Sequence, residues 1–148
     1  LEPDFTDKKE QQSEFPARIM FLDLDNFKNV SDGLGHAGGD ELLFQVARKL
    51  QGCSPATESV YRHGGDEFVL VLRGESSNLD TVVSELKNIF NNTWRVKNKH
   101  VQCSASIGIV QYPQDGTDID DLLERADQAM YSVKSRGKGD ITYYSAQQ

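Results

Sequence analysis

The sequence predicts an α+β fold of the ferredoxin-like kind, with helices flanking a mixed central β-sheet. Three observations point there. The short continuous apolar run Ile19, Met20, Phe21, Leu22 and Leu24 reads as a strand buried on both faces. Val60 to Arg62 and Glu67 to Leu72 read as two strands joined by His63, Gly64, Gly65 and Asp66. A glycine pair between such runs signals a hairpin, because glycine adopts positive φ without steric penalty. Amphipathic stretches with helical spacing separate and follow these runs.

In chain order, Leu1 to Ser13 is polar and lacks a helical apolar stripe, so residues 1–16 are read as a lead-in and 17–148 as the domain. After the first strand, helices are expected over about Asn26 to Gly33 and about Gly38 to Leu50. In the second, Leu42, Leu43, Val46, Ala47 and Leu50 share one face. Gly52, Ser54 and Pro55 mark a loop. Beyond the hairpin, Leu79, Val82, Val83, Leu86 and Phe90 form another helical face. Trp94 and Val96, then Val101 to Val110, read as strands with Asn98 in their turn. The last helix carries Ile119, Leu122, Leu123, Ala126, Met130 and Val133 as its stripe, with Thr117 as the expected cap and Asp120 in capping-box position. Gly137 and Gly139 stop it, and Ile141 to Tyr144 closes the sheet. The order is β-α-α-β-β-α-β-β-α-β, with no internal repeat.

A chain of 148 residues fits one domain, and 37% hydrophobic with 26% charged residues is ordinary for a globular one. With 16 basic and 23 acidic residues the net charge is −7, which argues against a binder of nucleic-acid polymers. It does not argue against a nucleoside triphosphate, whose Mg²⁺ carboxylates can hold. No apolar run reaches the ~20 residues of a membrane span, so no membrane contact is expected of this domain. Cys53 and Cys103 lack metal-ligand spacing and read as reduced packing residues, which fits a cytoplasmic location. His36, His63 and His100 likewise lack ligand spacing and read as structural or solvated.

Asp23 and Asp25 close the first strand, and we expect only one of them to face a given site. Asp66 and Glu67 follow the glycine pair at the hairpin tip. If strand and hairpin are neighbours, Asp23 and Asp66 meet around one cation, and hard oxygen ligands suit Mg²⁺. The competing reading is solvated turn carboxylates, which are common. Gly38, Gly39 and Asp40 at a helix start read equally well as a cap. Lys134 and Lys138 either complement the negative end of the last helix or, with Lys28, reach phosphates; spacing does not separate these.

Arg62-His63-Gly64-Gly65-Asp66-Glu67-Phe68 carries the signature of the GGDEF family, which this sequence resembles. Phe21-Leu22-Asp23-Leu24-Asp25-Asn26-Phe27-Lys28 is similar to the family's first-strand motif. Gly35-His36 with Gly38-Gly39-Asp40 and Leu42-Leu43 resembles its GHxxGDxLL helix, and Ser106-Ile107-Gly108-Ile109 a later strand. Ala126-Asp127 through Ala129-Met130-Tyr131 to Lys134, Gly137 and Lys138 resembles its ADxAMYxxKxxGK ending. The motifs fall in the family's order from about Ala17 to the end. The resemblance implies a nucleotidyl-cyclase-like palm and a diguanylate cyclase, joining two GTP into cyclic di-GMP as a homodimer. It implies Mg²⁺, with Mn²⁺ as an alternative, on Asp23, the Leu24 carbonyl, Asp66 and Glu67. Asp66 and Glu67 are then also the catalytic pair, Glu67 as second metal ligand or as base for the 3′-hydroxyl. Gly64 and Gly65 are implied to lie against the nucleotide, Asp40 with position 31 to contact guanine, and Lys28, Lys134 and Lys138 to hold the triphosphate.

Three departures qualify this. Ser31 stands where the family has an asparagine against guanine. A hydroxyl offers one donor where an amide gives donor and acceptor, a loss of roughly 1–2 kcal/mol. Pro55 and Glu58 replace the family's RxxD inhibitory product site, so inhibition through it is not expected. The opening motif DxLTGLxNR is not recognisable before Arg18, so we expect the sequence to begin inside or beyond it. A second reading is therefore a catalytically weak GTP-binding regulatory module fused to a sensor or to an EAL phosphodiesterase domain, whose preceding junction Tyr143-Tyr144-Ser145-Ala146 resembles. A third, opened by Ser31, is a cyclase of another nucleotide.

Overall fold

In the computed structural model, residues 17–53, 57–73 and 77–145 are described. The lead-in, Ser54, Pro55 and Ala146 lie outside them, as does the side chain of Glu58. The central strand β1 (Ala17–Leu24) pairs antiparallel with β3 (Glu67–Arg73) on one side and with β6 (Ala105–Tyr112) on the other. The edge strand β2 (Thr57–Gly64) extends the sheet beyond β3, and β7 (Ile141–Tyr143) runs parallel to β6 at the opposite edge. The order β2-β3-β1-β6-β7 places β1 between two parallel strands, β3 and β6, whose connection includes a helix. That is the split βαβ arrangement expected of a ferredoxin-like sheet.

The side-chain period of two sorts the sheet into two faces. Met20, Leu22, Leu24, Phe68 and Leu70 pack under α2 (His36–Gln51) and α3 (Ser77–Asn91) through Leu42, Val46, Leu50, Val82 and Leu86. Ile19, Phe21, Val69, Val71 and Val110 pack against Leu122, Ala126 and Met130 of α4 (Ile119–Ser135). Asp23 and Ser106 are register partners, as are Asp23 and Glu67. This alternation therefore sends all three toward the α4 face. At Gly108 a Cβ would overlap the Ala126 carbonyl and the Met130 amide, so glycine is what lets α4 lie this close to β6.

Several boundaries differ from expectation. The run Val101 to Val110 is two strands: β5 (Lys99–Val101) pairs with β4 (Trp94–Val96) in a separate ribbon, and Gln102–Ser104 crosses to the main sheet before β6 begins. The Trp94 indole donates to the Cys103 carbonyl at 3.3 Å and pins that crossing. The α2 helix begins at His36, so Gly38 and Gly39 are not its cap. They are packing glycines, buried where α2 crosses α1 (Phe27–Leu34). Added Cβ atoms would meet the Leu34 side chain and the Ser31 hydroxyl. Asp118, not Thr117, caps α4, its carboxylate accepting from the Asp121 amide at 3.4 Å. Among the described residues no helix is long and apolar enough to cross a membrane.

Candidate active site at the strand end and hairpin

The hairpin turn is tighter than the sequence suggests. β2 runs to Gly64, a bulge falls at His63, and only Gly65 and Asp66 form the turn, Gly65 with φ +48°. The Arg62 guanidinium donates to the Gly65 carbonyl at 2.9 Å and braces it. The Leu24 amide donates to the Asp66 carbonyl at 3.2 Å, which ties the end of β1 to the turn. Asp23, Leu24, Asp66 and Glu67 are thus gathered at one end of the sheet. Gly64 and Gly65 are exposed there, and a Cβ at either would meet nothing within 4 Å. Their surface is open to a ligand.

Lys134, near the C-terminal end of α4, reaches into this corner. Its Nζ lies 3.3 Å from Asp23 Oδ2, 3.0 Å from Asp25 Oδ1 and 3.3 Å from the Leu24 carbonyl oxygen. The expectation that Asp23 and Asp25 diverge is therefore wrong. Residues two apart share a face of a strand, and one ammonium touches both. Lys138 Nζ donates to Asn26 Oδ1 at 2.8 Å, so both lysines of the last helix region are held by the segment after β1.

Burial pushes the Asp23 carboxyl up to about 6, and the Asp66 charge adds to this against the pull of Lys134. Its Oδ1 is buried without a hydrogen-bond partner. Burial also raises the Glu67 carboxyl, which His63 pulls down and Asp127 pushes up. Asp25 differs. Burial would raise it, but hydrogen bonds from Ser104, Ser106 and Lys134 outweigh that, and its pKa falls below the usual carboxylate value. For Lys134, burial is likewise outweighed by its carboxylate partners, and its pKa rises.

The donor set fits a hard divalent cation: an orphaned buried carboxylate oxygen, a neighbouring carboxylate and a backbone carbonyl, where a lysine ammonium now stands. Among the described residues no group of three acidic, histidine or cysteine side chains converges into a cage. Two carboxylates and a carbonyl suit Mg²⁺, which keeps several waters and shares its shell with phosphates.

The other predicted residues lie on the two helices after β1. Lys28 is exposed on α1, Ser31 rests against Gly39 of α2, and the Asp40 side chain is exposed, 3.9 Å from His36. Sequence reasoning passed over Asn26, Ser104 and the Ser106 hydroxyl. The two serines flank Ala105 at the mouth of an otherwise apolar run, and that polar pair was the available signal.

The family model for "Diguanylate cyclase, GGDEF domain" matches residues 3–140. The chain belongs to the GGDEF domain family. The bifunctional diguanylate cyclase/cyclic di-GMP phosphodiesterase MucR of Pseudomonas aeruginosa is 36% identical over 86% of this chain and 19% of its own length. The solved EAL/GGDEF domain protein from M. capsulatus is 36% identical, with a TM-score of 0.80 over 88% of this chain and 85% of that one. The GGDEF domain of PA1120 (TpbB or YfiN) from Pseudomonas aeruginosa is 30% identical, with a TM-score of 0.86 over 97% and 84%. The chain spans about a fifth of the length of the curated relatives it matches first. The fold is the nucleotidyl-cyclase palm of these domains, and the family implies a divalent metal requirement and a role in cyclic di-GMP signalling.

Proposed function

We propose that this GGDEF domain is a diguanylate cyclase that condenses two GTP into cyclic di-GMP and releases pyrophosphate. The observation that most supports this is the junction of strand end and hairpin, where the Leu24 amide donates to the Asp66 carbonyl at 3.2 Å and Asp23, with a buried, partnerless oxygen, feels the Asp66 charge. Asp23, the Leu24 carbonyl, Asp66 and Glu67 would hold Mg²⁺, with Mn²⁺ as a substitute. Bound there, such a cation would stabilise charge on the α-phosphoryl oxygens and lower the pKa of the attacking 3′-hydroxyl.

The chain's own residues do the rest. Glu67, with its pKa raised, would take the 3′-hydroxyl proton, since a base works best with a pKa nearer the operating pH. Lys134, Lys138 and Lys28 hold the triphosphate, Ser31 and Asp40 contact guanine, and the bare backbone of Gly64 and Gly65 lies against the nucleotide. Each domain holds one GTP, so two copies face each other for ring closure. A cytoplasmic location fits the buried free thiols and the GTP substrate.

A second reading has support from Ser31 and from the likeness to bifunctional and EAL/GGDEF proteins: a GTP-binding module that regulates a fused phosphodiesterase or sensor. Incubating the concentrated chain with GTP and Mg²⁺ and separating the products by chromatography decides between them. Cyclic di-GMP that disappears in Asp66→Asn supports the cyclase. GTP binding without product overturns it in favour of the regulatory module.

A further inference from the structure

The Asp25 residue is 4% exposed, and every one of its polar groups is engaged. Its Oδ2 accepts from Ser104 Oγ at 2.7 Å, and its Oδ1 accepts from Ser106 Oγ at 2.7 Å while pairing with Lys134 at 3.0 Å. Its amide donates to the Ser104 carbonyl at 2.9 Å. Donors on both oxygens favour the charged carboxylate even in a buried setting. The Ser106 hydroxyl has a second duty: it accepts from the Gly139 amide at 3.2 Å, in the turn that carries Lys138. Asn26, the next residue, accepts from Lys138 itself. One short segment at the end of β1 therefore grips both cationic side chains.

The geometry around Lys134 gives this grip a consequence. The ammonium touches three oxygens, two of which, on Asp23 and Leu24, belong to the proposed cation site. Only the third, on Asp25, lies outside it. Without that anchor the carboxylate paired with Lys134 among the described residues is Asp23, and a unit charge at 3.3 Å competes with any divalent ion for the same oxygen.

We propose that Asp25, braced by Ser104 and Ser106, is a positioning residue that gives Lys134 an anchor outside the proposed cation site, so that the ammonium yields the Asp23 and Leu24 oxygens to a cation, and that, through Ser106 and Asn26, it keeps Lys134 and Lys138 aligned as a pair toward the triphosphate. It acts through the lysines and does not itself touch nucleotide or metal. This inference rests on the reading of Asp23 and Leu24 given above.

The test is calorimetric titration of Mn²⁺ into the nucleotide-free chain, comparing the unmodified protein with Asp25→Asn, Lys134→Met and the double variant. Asp25→Asn is expected to weaken Mn²⁺ binding about tenfold, and Lys134→Met to tighten it. In the Lys134→Met background, Asp25→Asn should change affinity by less than about threefold, because the competitor it restrains is gone. Equal weakening in both backgrounds would mean that Asp25 acts by its own charge, and no weakening would mean that it only supports the fold; either overturns the proposal. Should Asp25→Asn fail to fold, Ser104→Ala replaces it, with the same background dependence expected and the same results overturning. Absence of Mn²⁺ binding by the unmodified chain would instead overturn the metal reading itself, and the inference with it.

Discussion

The Lys134 ammonium stands 3.3 Å from the Leu24 carbonyl oxygen, across 110 residues of sequence. A cation thus already occupies the corner where β1 meets the hairpin, and it offsets carboxylates that the fold forces together. On the proposed metal reading, metal-free stability and metal binding are consequently set against each other at Asp23.

That opposition has a pH signature. Asp23 is raised from 3.8 to about 6, so the fold favours its protonated form. Its contribution to stability is fully present below pH 3.8 and is lost as pH rises through about 6. Asp25 runs the other way: its pKa is lowered, so its contribution is present above 3.8 and is lost as pH falls through the lower folded value. Asp23→Asn should therefore raise the thermal midpoint of the metal-free chain at pH 7 by a few °C and flatten its decline between pH 3.8 and about 6. Saturating Mg²⁺ should stabilise the unmodified chain and not the variant, reversing the order. Thermal scans across pH, with and without Mg²⁺, check both.

The glycines separate packing from ligand approach. Gly108→Ala drives a methyl into the backbone of α4 and should cost about 1–3 kcal/mol, with weaker GTP binding because Lys134 rides on that helix. Gly64→Ala meets no atom within 4 Å, so it should leave stability within about 0.5 kcal/mol while impairing GTP binding. Denaturant melts paired with nucleotide titrations distinguish the two.

Burial pushes the Cys53 thiol up to about 11 and the Cys103 thiol up to about 12. Both side chains are buried, so a thiol reagent at pH 8 should react slowly with the native chain and promptly in denaturant. Fast native labelling of Cys103 would contradict the packing described around β5 and β6.

Much of this was legible in the residues, and the misses have physical causes. The apolar run of β1, the glycine-bearing hairpin and the stripes of the helices announce themselves because burial imposes a period. The break inside Val101 to Val110 does not, since Cys103 is as apolar as a strand residue and the crossing is held by Trp94 and by Asp25, far apart in sequence. The corner chemistry was half legible. Motif residues gave Asp23, Asp66 and Lys134, whereas the grip of Ser104, Ser106 and Asn26 on that corner is a tertiary relation spanning 79 to 112 positions.

Position 55 carries a separate prediction. Proline offers no side-chain donor to a guanine or phosphate, so added cyclic di-GMP should not inhibit turnover through the site just before the signature. Activity titrated against product checks it, and tight non-competitive inhibition is the contrary result.

The proposed cation site between strand end and hairpin is tested most directly by a Mn²⁺ titration followed by electron paramagnetic resonance, on the unmodified chain and on Asp23→Asn, Asp66→Asn and Asp40→Asn. Loss of bound Mn²⁺ in the first two variants, with Asp40→Asn unchanged, is the expected result. Mn²⁺ bound as tightly by Asp66→Asn as by the unmodified chain would contradict it.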